Sequence, residues 1–351
     1  MAGLYVMSDK TGIAWTSATW NPVTGCAKVS AGCKHCYAER DWQRLASAPH
    51  TVYAGRAFTD VRVHPERFDQ PLRWRRPRRI FVNSMSDLFH ETIPDAAIDA
   101  ILAVMLLAPH HTFQVLTKRP ERMRNYFAAP GLYHRILART NSLRIAYPRL
   151  HLDKIPIDNP ASRFARHIWW GVSAEDQETA DERIHILLQV PVAHHWLSAE
   201  PLLGPLVLEE IPVGMFGPLR PHGGHSARNP RLDWVVVGGE SGSKARPFHA
   251  EWARALRQEC AEAGVPFFMK QLGANAFDRQ ARCYTKDRAG ADPSEWPEDL
   301  RVREYPDEPV FAKTGLANWP DLSEKEVEQL LANGRTTIAV TDKDNERDGH
   351  P

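Results

Sequence analysis

Three cysteines near the start of the chain are the residues whose type and spacing point most directly to chemistry. The segment GCAKVSAGCKHCYAER, residues 25–40, places them at Cys26, Cys33 and Cys36 with the spacing C-x6-C-x2-C. In a reducing compartment, cysteines clustered this tightly favour a metal centre over a disulfide. Three thiolates are one ligand short of a closed zinc site, so the segment predicts either a fourth ligand elsewhere or a coordination position that is left open.

Two kinds of metal centre fit these cysteines, and the residues alone leave both open. A structural zinc ion needs a fourth ligand. His35 lies between two of the cysteines, where binding the same ion would strain the loop, and Cys260 lies on the apolar stripe of a predicted helix, as a core thiol does. Cys283 is not excluded. A [4Fe–4S] cluster is usually held by four thiolates; held by three, it keeps one iron with an exchangeable position for a substrate or cosubstrate.

The composition is that of a soluble globular protein. Hydrophobic residues make up 43% of the chain and charged residues 25%, and the net charge of +1 gives no argument for a nucleic-acid or membrane partner. No apolar run approaches the roughly 20 residues that cross a bilayer. The opening MAGLYVMSDKTG lacks the basic and apolar regions of a secretory signal. We therefore expect a cytoplasmic protein with no membrane partner.

Short apolar segments alternate with helical patterns along most of the chain. They are rich in Val, Ile, Phe and Trp and lack a clean polar–apolar alternation, which is typical of strands buried on both faces of a parallel sheet. Repeated strand–helix–strand units predict right-handed crossovers, and the chain is long enough for one barrel. We expect an α/β fold, a partial (β/α)6–7 TIM-like barrel with parallel strands. The predicted strands are residues 19–25, 78–86, 111–119, 167–175, 193–201, 232–241 and 265–273.

Helical patterns and polar segments complete the domain prediction. Residues 94–109 and 249–264 have the pattern of amphipathic helices, each with one apolar face. The barrel is predicted over residues 10–273, with the cysteine loop at 25–40. The other predicted segments are two loop insertions, a wrapping C-terminal segment, and a short helix with a flexible tail: residues 129–166, 204–230, 274–311 and 312–351.

Polar side chains follow the predicted strands at the point where each strand ends. The carboxyl ends of parallel barrel strands meet at one rim, where ligands bind, and the cysteine loop follows the first strand at that same rim. Helix capping explains a polar residue after any single strand about equally well. It does not explain six strand ends in succession with cations and a Gly-Gly-Glu among them. We expect a cavity for a polar, zwitterionic ligand, lined by Ser84, Ser86, Asp87, Thr117, Lys118, Arg119, Ser173, Glu175, Ser198, Glu200, Gly238, Gly239, Glu240, Ser241, Lys270 and Gln271.

The cysteine loop and its place after the first strand of a partial barrel resemble the radical S-adenosylmethionine superfamily. The usual motif there is C-x3-C-x2-C, so the first gap of this chain is longer by three residues. More closely, the chain is similar to a phage-associated family of three-cysteine proteins, also found in bacterial genomes beside a gene for a three-Cys-motif partner. That family has no assigned reaction. The similar stretches are TWNPVTGC, FVNSMSDLFHE, LTKRPERM, GVSAE, SAEPLLGPL, VVGGESG and FFMKQLG.

The superfamily resemblance implies a [4Fe–4S] cluster on Cys26, Cys33 and Cys36, with S-adenosyl-L-methionine as cosubstrate. Its reductive cleavage would give methionine and a 5′-deoxyadenosyl radical that abstracts hydrogen from an unspecified substrate. The superfamily often places Gly-Gly-Glu after the second strand; here Ser84-Met85-Ser86-Asp87 stands there, and Gly238-Gly239-Glu240 follows the sixth strand. By position, the cosubstrate contacts are Ser84, Ser86, Asp87, Lys118, Ser173, Glu175 and Glu200, and the substrate-side residues are Arg119, Gly239, Glu240, Ser241 and Lys270.

The same resemblance implies partners. These are a flavodoxin-like or ferredoxin-like one-electron donor and the three-Cys-motif partner protein. A nucleic-acid partner has weaker support, because the basic run RWRRPRR, residues 73–79, precedes the second strand and so lies at the end of the barrel away from the rim. The alternative function is a zinc-stabilised or iron–sulfur-stabilised nucleic-acid-binding or accessory protein without catalysis.

Overall fold

One parallel sheet organises the molecule. The computed structural model describes residues 11–148, 165–211, 217–219 and 230–306. Seven strands follow one another in the sheet in the same order as in the chain, every neighbouring pair is parallel, and the sheet curls into a half-barrel. This confirms the predicted α/β, partial TIM-like fold. The strands are β1 (Ala18–Trp20), β2 (Arg79–Val82), β3 (Thr112–Thr117), β4 (Ile168–Ser173), β5 (His194–Ala199), β6 (Leu232–Gly238) and β7 (Phe267–Gln271).

Helices and short elements connect and cover these strands. The α-helices are α1 (Tyr37–Ala46), α2 (Gln70–Arg73), α3 (Asp95–Leu107), α4 (Pro120–Ala128), α5 (Leu132–Ala146), α6 (Gln177–Leu187) and α7 (Ala250–Ala263). The 3-10 turns are Ala31–Cys33, Pro65–Arg67, Pro293–Glu295 and Glu298–Leu300. The short strands outside the main sheet are Val23–Thr24, Arg62–Val63, Phe248–His249, Ala276–Asp278 and Ala281–Arg282.

The first predicted strand, residues 19–25, is divided in the structure. β1 ends at Trp20, and Val23–Thr24 pairs instead with Arg62–Val63 in an antiparallel ribbon. Pro22 lies at the break and has no backbone N–H to donate to a neighbouring strand. The other predicted strands extended too far into the loops, because their last residues belong to the polar rim rather than to the ladder.

The two faces of the sheet bury different sets of side chains. Outward-facing residues such as Ile80, Val115 and Leu197 join the core beneath the helices. The inward face encloses a second, mainly aromatic core. A side chain at Gly171 would meet the Trp196 indole at 2.6 Å, so the glycine makes room for that ring inside the barrel. The inner core consists of Trp15, Phe81, Trp169, Trp196, Trp234, Val236 and Phe268.

Helix α3 was predicted to be amphipathic, and this prediction was wrong. Every residue from Ala97 to Leu107 is buried. The reason is α5, which packs along α3 and covers the face that would otherwise meet solvent. α5 itself lies within residues 129–166, predicted as a loop insertion, so that part of the prediction was also wrong. Residues 149–164 of that segment lie outside the described residues.

The C-terminal segment closes the amino-terminal end of the inner core. Arg303 forms a β-bridge with Phe268, and the Tyr305 ring stacks on Trp234 with centroids 5.5 Å apart. The Arg79 guanidinium lies over the Tyr305 ring, 4.0 Å from its centroid. The short helix and tail predicted over residues 312–351 lie outside the described residues. Residues 212–216 and 220–229 of the second predicted insertion also lie outside them. Within the described residues, no helix is both long and apolar enough to cross a membrane.

Buried histidines join the strand starts to the ends of the preceding helical segments. The Nε2 atom of His111 donates to the Pro71 carbonyl at 3.0 Å, and that of His167 donates to Met105 in the last turn of α3 at 2.9 Å. His195 does the same with Val190 at 2.9 Å. Burial lowers the pKa of His167 to about 4, so it is neutral at physiological pH. Each histidine gives a second hydrogen bond to a carbonyl that also accepts from a backbone N–H, that of Trp74, Ala108 or Val192.

Acidification should destabilise the fold through His167. Its pKa is about 6.5 in an unfolded chain and about 4 in the folded protein. Between these values the unfolded state binds a proton that the folded state does not, so the free energy of unfolding falls as the pH drops from about 6.5 towards 4. The variant His167→Gln, whose amide can still donate to Met105, should remove up to about 1.4 kcal/mol per pH unit of this slope.

Urea denaturation at a series of pH values between neutrality and about 4.5 measures that slope. The exposed His185 on α6 offers a matched control, because His185→Gln should leave the slope unchanged. An identical slope in wild type and His167→Gln would contradict the assignment.

Candidate functional site

The cysteine loop leaves the β1 side of the barrel through a glycine that no other residue could replace without strain. Gly25 has φ of +92°, and a Cβ there would lie 2.5 Å from the Asp60 carbonyl oxygen. Its amide donates to Met85 at 3.0 Å, and the next amide, that of Cys26, donates to Phe58 at 2.9 Å. These bonds place the first cysteine beside the end of β2.

The other two cysteines sit on helical backbone. Cys33 ends the Ala31–Cys33 turn, and Cys36 is the N-cap of α1. The backbone N–H groups of Ala38 and Glu39 at the start of α1 act on the Cys36 sulfur in the sense of lowering its pKa, as a helix N-terminus does for an anion. All three cysteines are free and partly exposed. The loop therefore carries three free cysteines on one short segment.

The surroundings of the cysteine sulfurs contain groups that raise their pKa values and groups that lower them. Burial, helped by the nearby Asp87 carboxylate, raises the pKa of Cys26 to about 12, although the Arg119 guanidinium opposes the rise. Burial also raises the pKa of Cys36, against the two backbone N–H groups and the Lys118 ammonium. At neutral pH these groups are thiols, and binding of a metal would release their protons.

Glu175 at the end of β4 is the first of three anchors for the loop. Its side chain is fully buried and accepts a hydrogen bond from Ser30 Oγ at 3.0 Å. Lys118 Nζ and Arg183 Nη1 lie 3.1 Å and 3.2 Å from its carboxylate oxygens. Gly32 packs directly against the carboxyl group, which a Cβ at this position would overlap. Glu175 was predicted as a cosubstrate contact; the structure places it under the loop.

Arg119 at the end of β3 is the second anchor. Its guanidinium donates to the Ala27 carbonyl at 3.2 Å and lies 3.8 Å from Cys26 Sγ. The same group pairs with Asp87 at 3.1 Å and with Glu91 at 2.8 Å. Arg119 was predicted on the substrate side, and the structure places it against the first cysteine.

Asp87 is already saturated by the protein. Besides Arg119, its carboxylate accepts hydrogen bonds from Thr117 Oγ1 at 2.7 Å, from the Lys118 amide at 3.0 Å and from the Phe89 amide at 2.9 Å. The role predicted for it in binding a cosubstrate stays a prediction. In the structure, the Asp87 carboxylate pairs with the Arg119 guanidinium and holds it in place.

Arg246 is the third anchor and was not predicted. It pairs with Glu240 at 2.7 Å and donates to the Ala31 carbonyl at 2.9 Å. Burial alone would raise the pKa of Glu240, but its bonds with Arg246 outweigh burial and hold the pKa below its ordinary value.

The rest of the segment after β6 also contacts the loop region. The Ser241 carbonyl accepts a hydrogen bond from Arg40 of α1 at 3.0 Å. The Gly-Gly-Glu-Ser segment thus holds the loop and α1 from the β6 side. A side chain at Gly239 would overlap the Leu272 carbonyl, so this glycine serves close packing.

The predicted serines after β2 also make internal contacts. Ser84 Oγ is hydrogen-bonded to the side chain of Asn21 at 3.1 Å, and Ser86 Oγ donates to the Val23 carbonyl at 2.9 Å. Tyr37 of α1 donates to the Ser84 carbonyl at 2.6 Å. Asn21 and Tyr37 were missed, because nothing in their spacing distinguishes them from ordinary loop and helix residues.

A second group of polar side chains lines the inward face above the aromatic core. Ser173 of β4 and Ser198 of β5 are buried neighbours in register. Lys270 of β7 forms an ion pair with Glu200, which follows β5 and precedes a cis peptide bond to Pro201. Lys270 and Glu200 were predicted in different roles, and the structure brings them together.

The donor set can be compared with the demands of each metal centre. Within the described ranges, no three His, Cys, Asp or Glu side chains are grouped so as to hold a metal ion. A four-iron cluster makes a different demand, because each thiolate binds its own iron. Three free thiols on one loop, with Lys118 and Arg119 beside them, fit such a cluster in ligand type and charge. Cys260 is buried in the outer core, and Cys283 has Asp278, Glu251 and Arg254 as neighbours.

Comparison with known proteins gives a family. The family model described as "Protein of unknown function (DUF5131)" matches residues 10–301. No curated protein and no solved structure matches the chain.

Replacing Gly32 should loosen the attachment of the cysteine loop. In Gly32→Ala the added methyl group would overlap the Glu175 carboxyl, which Lys118 and Arg183 hold in place. Overpacking of this kind costs about 1–3 kcal/mol, measurable as a lower urea midpoint. In the control Gly204→Ala the new Cβ meets no atom within 4 Å, so stability should change by no more than about 1 kcal/mol. Equal effects of the two substitutions would contradict the contact.

Proposed function

This chain belongs to the family whose model covers residues 10–301, and we propose that it is a radical S-adenosylmethionine-type enzyme that binds a [4Fe–4S] cluster through Cys26, Cys33 and Cys36. The substrate that its radical chemistry modifies is left unspecified. The observation that carries the proposal is the position of three free cysteines on one loop at the carboxyl-terminal rim of a parallel half-barrel.

The anchoring of the loop supports a bound group rather than a surface turn. Three charged side chains from the segments that follow β3, β4 and β6 reach the loop at Ala27, Ser30 and Ala31. Arg119 and Glu175 are buried, and Arg246 is partly exposed but paired with the buried Glu240. Burying charge is costly unless each group is paired, and a flexible surface turn would not need three such anchors. A redox centre requires ligands that are held in place before it binds, and these three anchors hold the loop that carries the cysteines.

The protein's own residues would perform distinct tasks around this centre. The three thiolates would hold three of the four irons, and the fourth position would be open to the amino and carboxylate groups of the cosubstrate. When bound, the cluster would supply the one electron that cleaves S-adenosylmethionine to methionine and a 5′-deoxyadenosyl radical. Lys118 and Arg119 would balance the negative charge of three thiolates. The aromatic inner core would exclude water from the side of the barrel opposite the loop.

The cosubstrate and substrate would lie between the loop and the inward polar group. Ser84, Ser86, Asp87, Glu175 and Glu240 have internal partners, so their contribution would be mainly to shape the rim. Lys118, Glu200 and Lys270 also have ion-pair partners, but their side chains are partly exposed at the rim. Together with Ser173 and Ser198 of the inward face, they are better placed to contact ligands. We propose that Lys118, Ser173 and Ser198 bind the polar parts of the cosubstrate, and that the Glu200–Lys270 pair meets the substrate. The same proposal includes two partners. One is a flavodoxin-like or ferredoxin-like one-electron donor, and the other is a three-Cys-motif partner protein.

Anaerobic reconstitution with iron and sulfide tests it. We expect a brown protein with about four irons and four sulfides per chain and, after reduction, production of 5′-deoxyadenosine from S-adenosylmethionine. Cys26→Ala, Cys33→Ala and Cys36→Ala should each lose the colour and the product. Cys283→Ala, which removes another partly buried thiol, should keep both.

A different metal content would contradict the proposal. A colourless protein with one tightly bound zinc ion, unable to cleave S-adenosylmethionine, would instead favour a metal-stabilised accessory or nucleic-acid-binding protein. Cleavage that persists in all three cysteine variants would equally rule out the assigned ligands.

A further inference from the structure

Arg119 differs from the other anchors because it reaches a sulfur atom as well as the loop backbone. Its Nη1 lies 3.8 Å from Cys26 Sγ, within hydrogen-bond range for sulfur, while Nη2 donates to the Ala27 carbonyl. Arg246 holds the loop only through the Ala31 carbonyl, in the contacts that the described residues show. The side chain of Arg119 is 5% exposed, so water does little to screen its charge.

The orientation of this guanidinium is fixed by the protein. Asp87 and Glu91 pair with two different edges of the group, at 3.1 Å and 2.8 Å. Asp87 is in turn fixed by Thr117 and the Lys118 amide. All three nitrogens of the guanidinium thus have partners in the protein: Nε has Glu91, Nη1 has Asp87 and Nη2 has the Ala27 carbonyl. This fixes the direction in which Nη1 faces Cys26. Arginine keeps its charge at every physiological pH.

We propose that Arg119 sets the reduction potential of the cluster through its contact with Cys26, an inference that rests on the proposed function. A cationic N–H directed at a ligand sulfur stabilises negative charge on the centre. The reduced form carries one more electron than the oxidised form, so the contact favours reduction and raises the potential. Asp87 pairs with the same Nη1 atom and lies near Cys26, so its negative charge opposes this effect. The carboxylate is unchanged in a variant of Arg119 alone, so the shift in potential that such a variant shows reports the loss of the guanidinium contact.

The contact explains why this residue is an arginine on a buried strand end. A lysine at this position would carry the same charge as a single compact ammonium, without the fork that serves Asp87, Glu91, Ala27 and Cys26 at once. Arg119 is therefore a positioning residue that acts through Cys26, and its effect is expected in the redox properties of the centre.

Potentiometric titration of the reconstituted full-length protein, followed by absorbance and by electron paramagnetic resonance, tests the proposal. Arg119→Lys should shift the potential to a more negative value at unchanged iron content. The matched control is Arg246→Lys, which weakens loop attachment without touching a sulfur, and it should keep the wild-type potential. The double variant Arg119→Gln/Asp87→Asn, which removes both members of the buried pair, covers the case in which the single substitution prevents folding. Its reference is Asp87→Asn alone, in which Arg119 keeps Glu91 as a partner, and relative to that reference the potential should again be more negative.

The outcomes separate this inference from the function on which it rests. The inference is overturned, and the proposed function left standing, if Arg119→Lys keeps the wild-type potential and the double variant keeps the potential of Asp87→Asn. An equal shift in Arg246→Lys also overturns it, because the effect would then come from loop attachment alone. A wild-type protein that assembles no iron–sulfur cluster contradicts both.

Discussion

The buried carboxylate of Glu175 joins the cysteine loop to two other parts of the barrel. Glu175 has no exposed surface and must be neutralised where it lies. Its partners come from three parts of the chain: Ser30 from the loop, Lys118 from the end of β3 and Arg183 from α6. Because breaking a buried pair leaves an uncompensated charge, none of these elements can move independently. The loop is thus fixed relative to the sheet by electrostatics as much as by packing.

The same arrangement occurs on both sides of Glu175. Asp87 pairs with Arg119 and Glu240 with Arg246, and each arginine donates to a backbone carbonyl of the loop. Carboxylates at the strand ends therefore serve first to hold the loop. Backbone carbonyls are good anchor points, since a charged donor gives a stronger bond than a neutral one. The polar surface left for ligands is narrower than the whole rim and centres on the inward residues of β4, β5 and β7.

Much of the architecture could be predicted from the sequence. Buried parallel strands are continuous apolar runs, and their connections force every carboxyl end to one rim, so the cysteine loop and the strand-end residues had to meet there. The burial of α3 could not be seen, because it depends on α5 packing over it. Nor does a carboxylate at a strand end reveal its partner. Arg183 and Arg246 follow Glu175 and Glu240 by eight and six residues, and only the folded turns bring them back.

The central claim is that three cysteines hold a cluster with one iron open to S-adenosylmethionine. Electron paramagnetic resonance of the reduced, reconstituted protein tests it most directly. We expect the signal of a [4Fe–4S] cluster in its one-electron-reduced state. The g values of this signal should change when S-adenosylmethionine is added, since the cosubstrate would bind the open iron. A cluster signal that is identical with and without S-adenosylmethionine would contradict it.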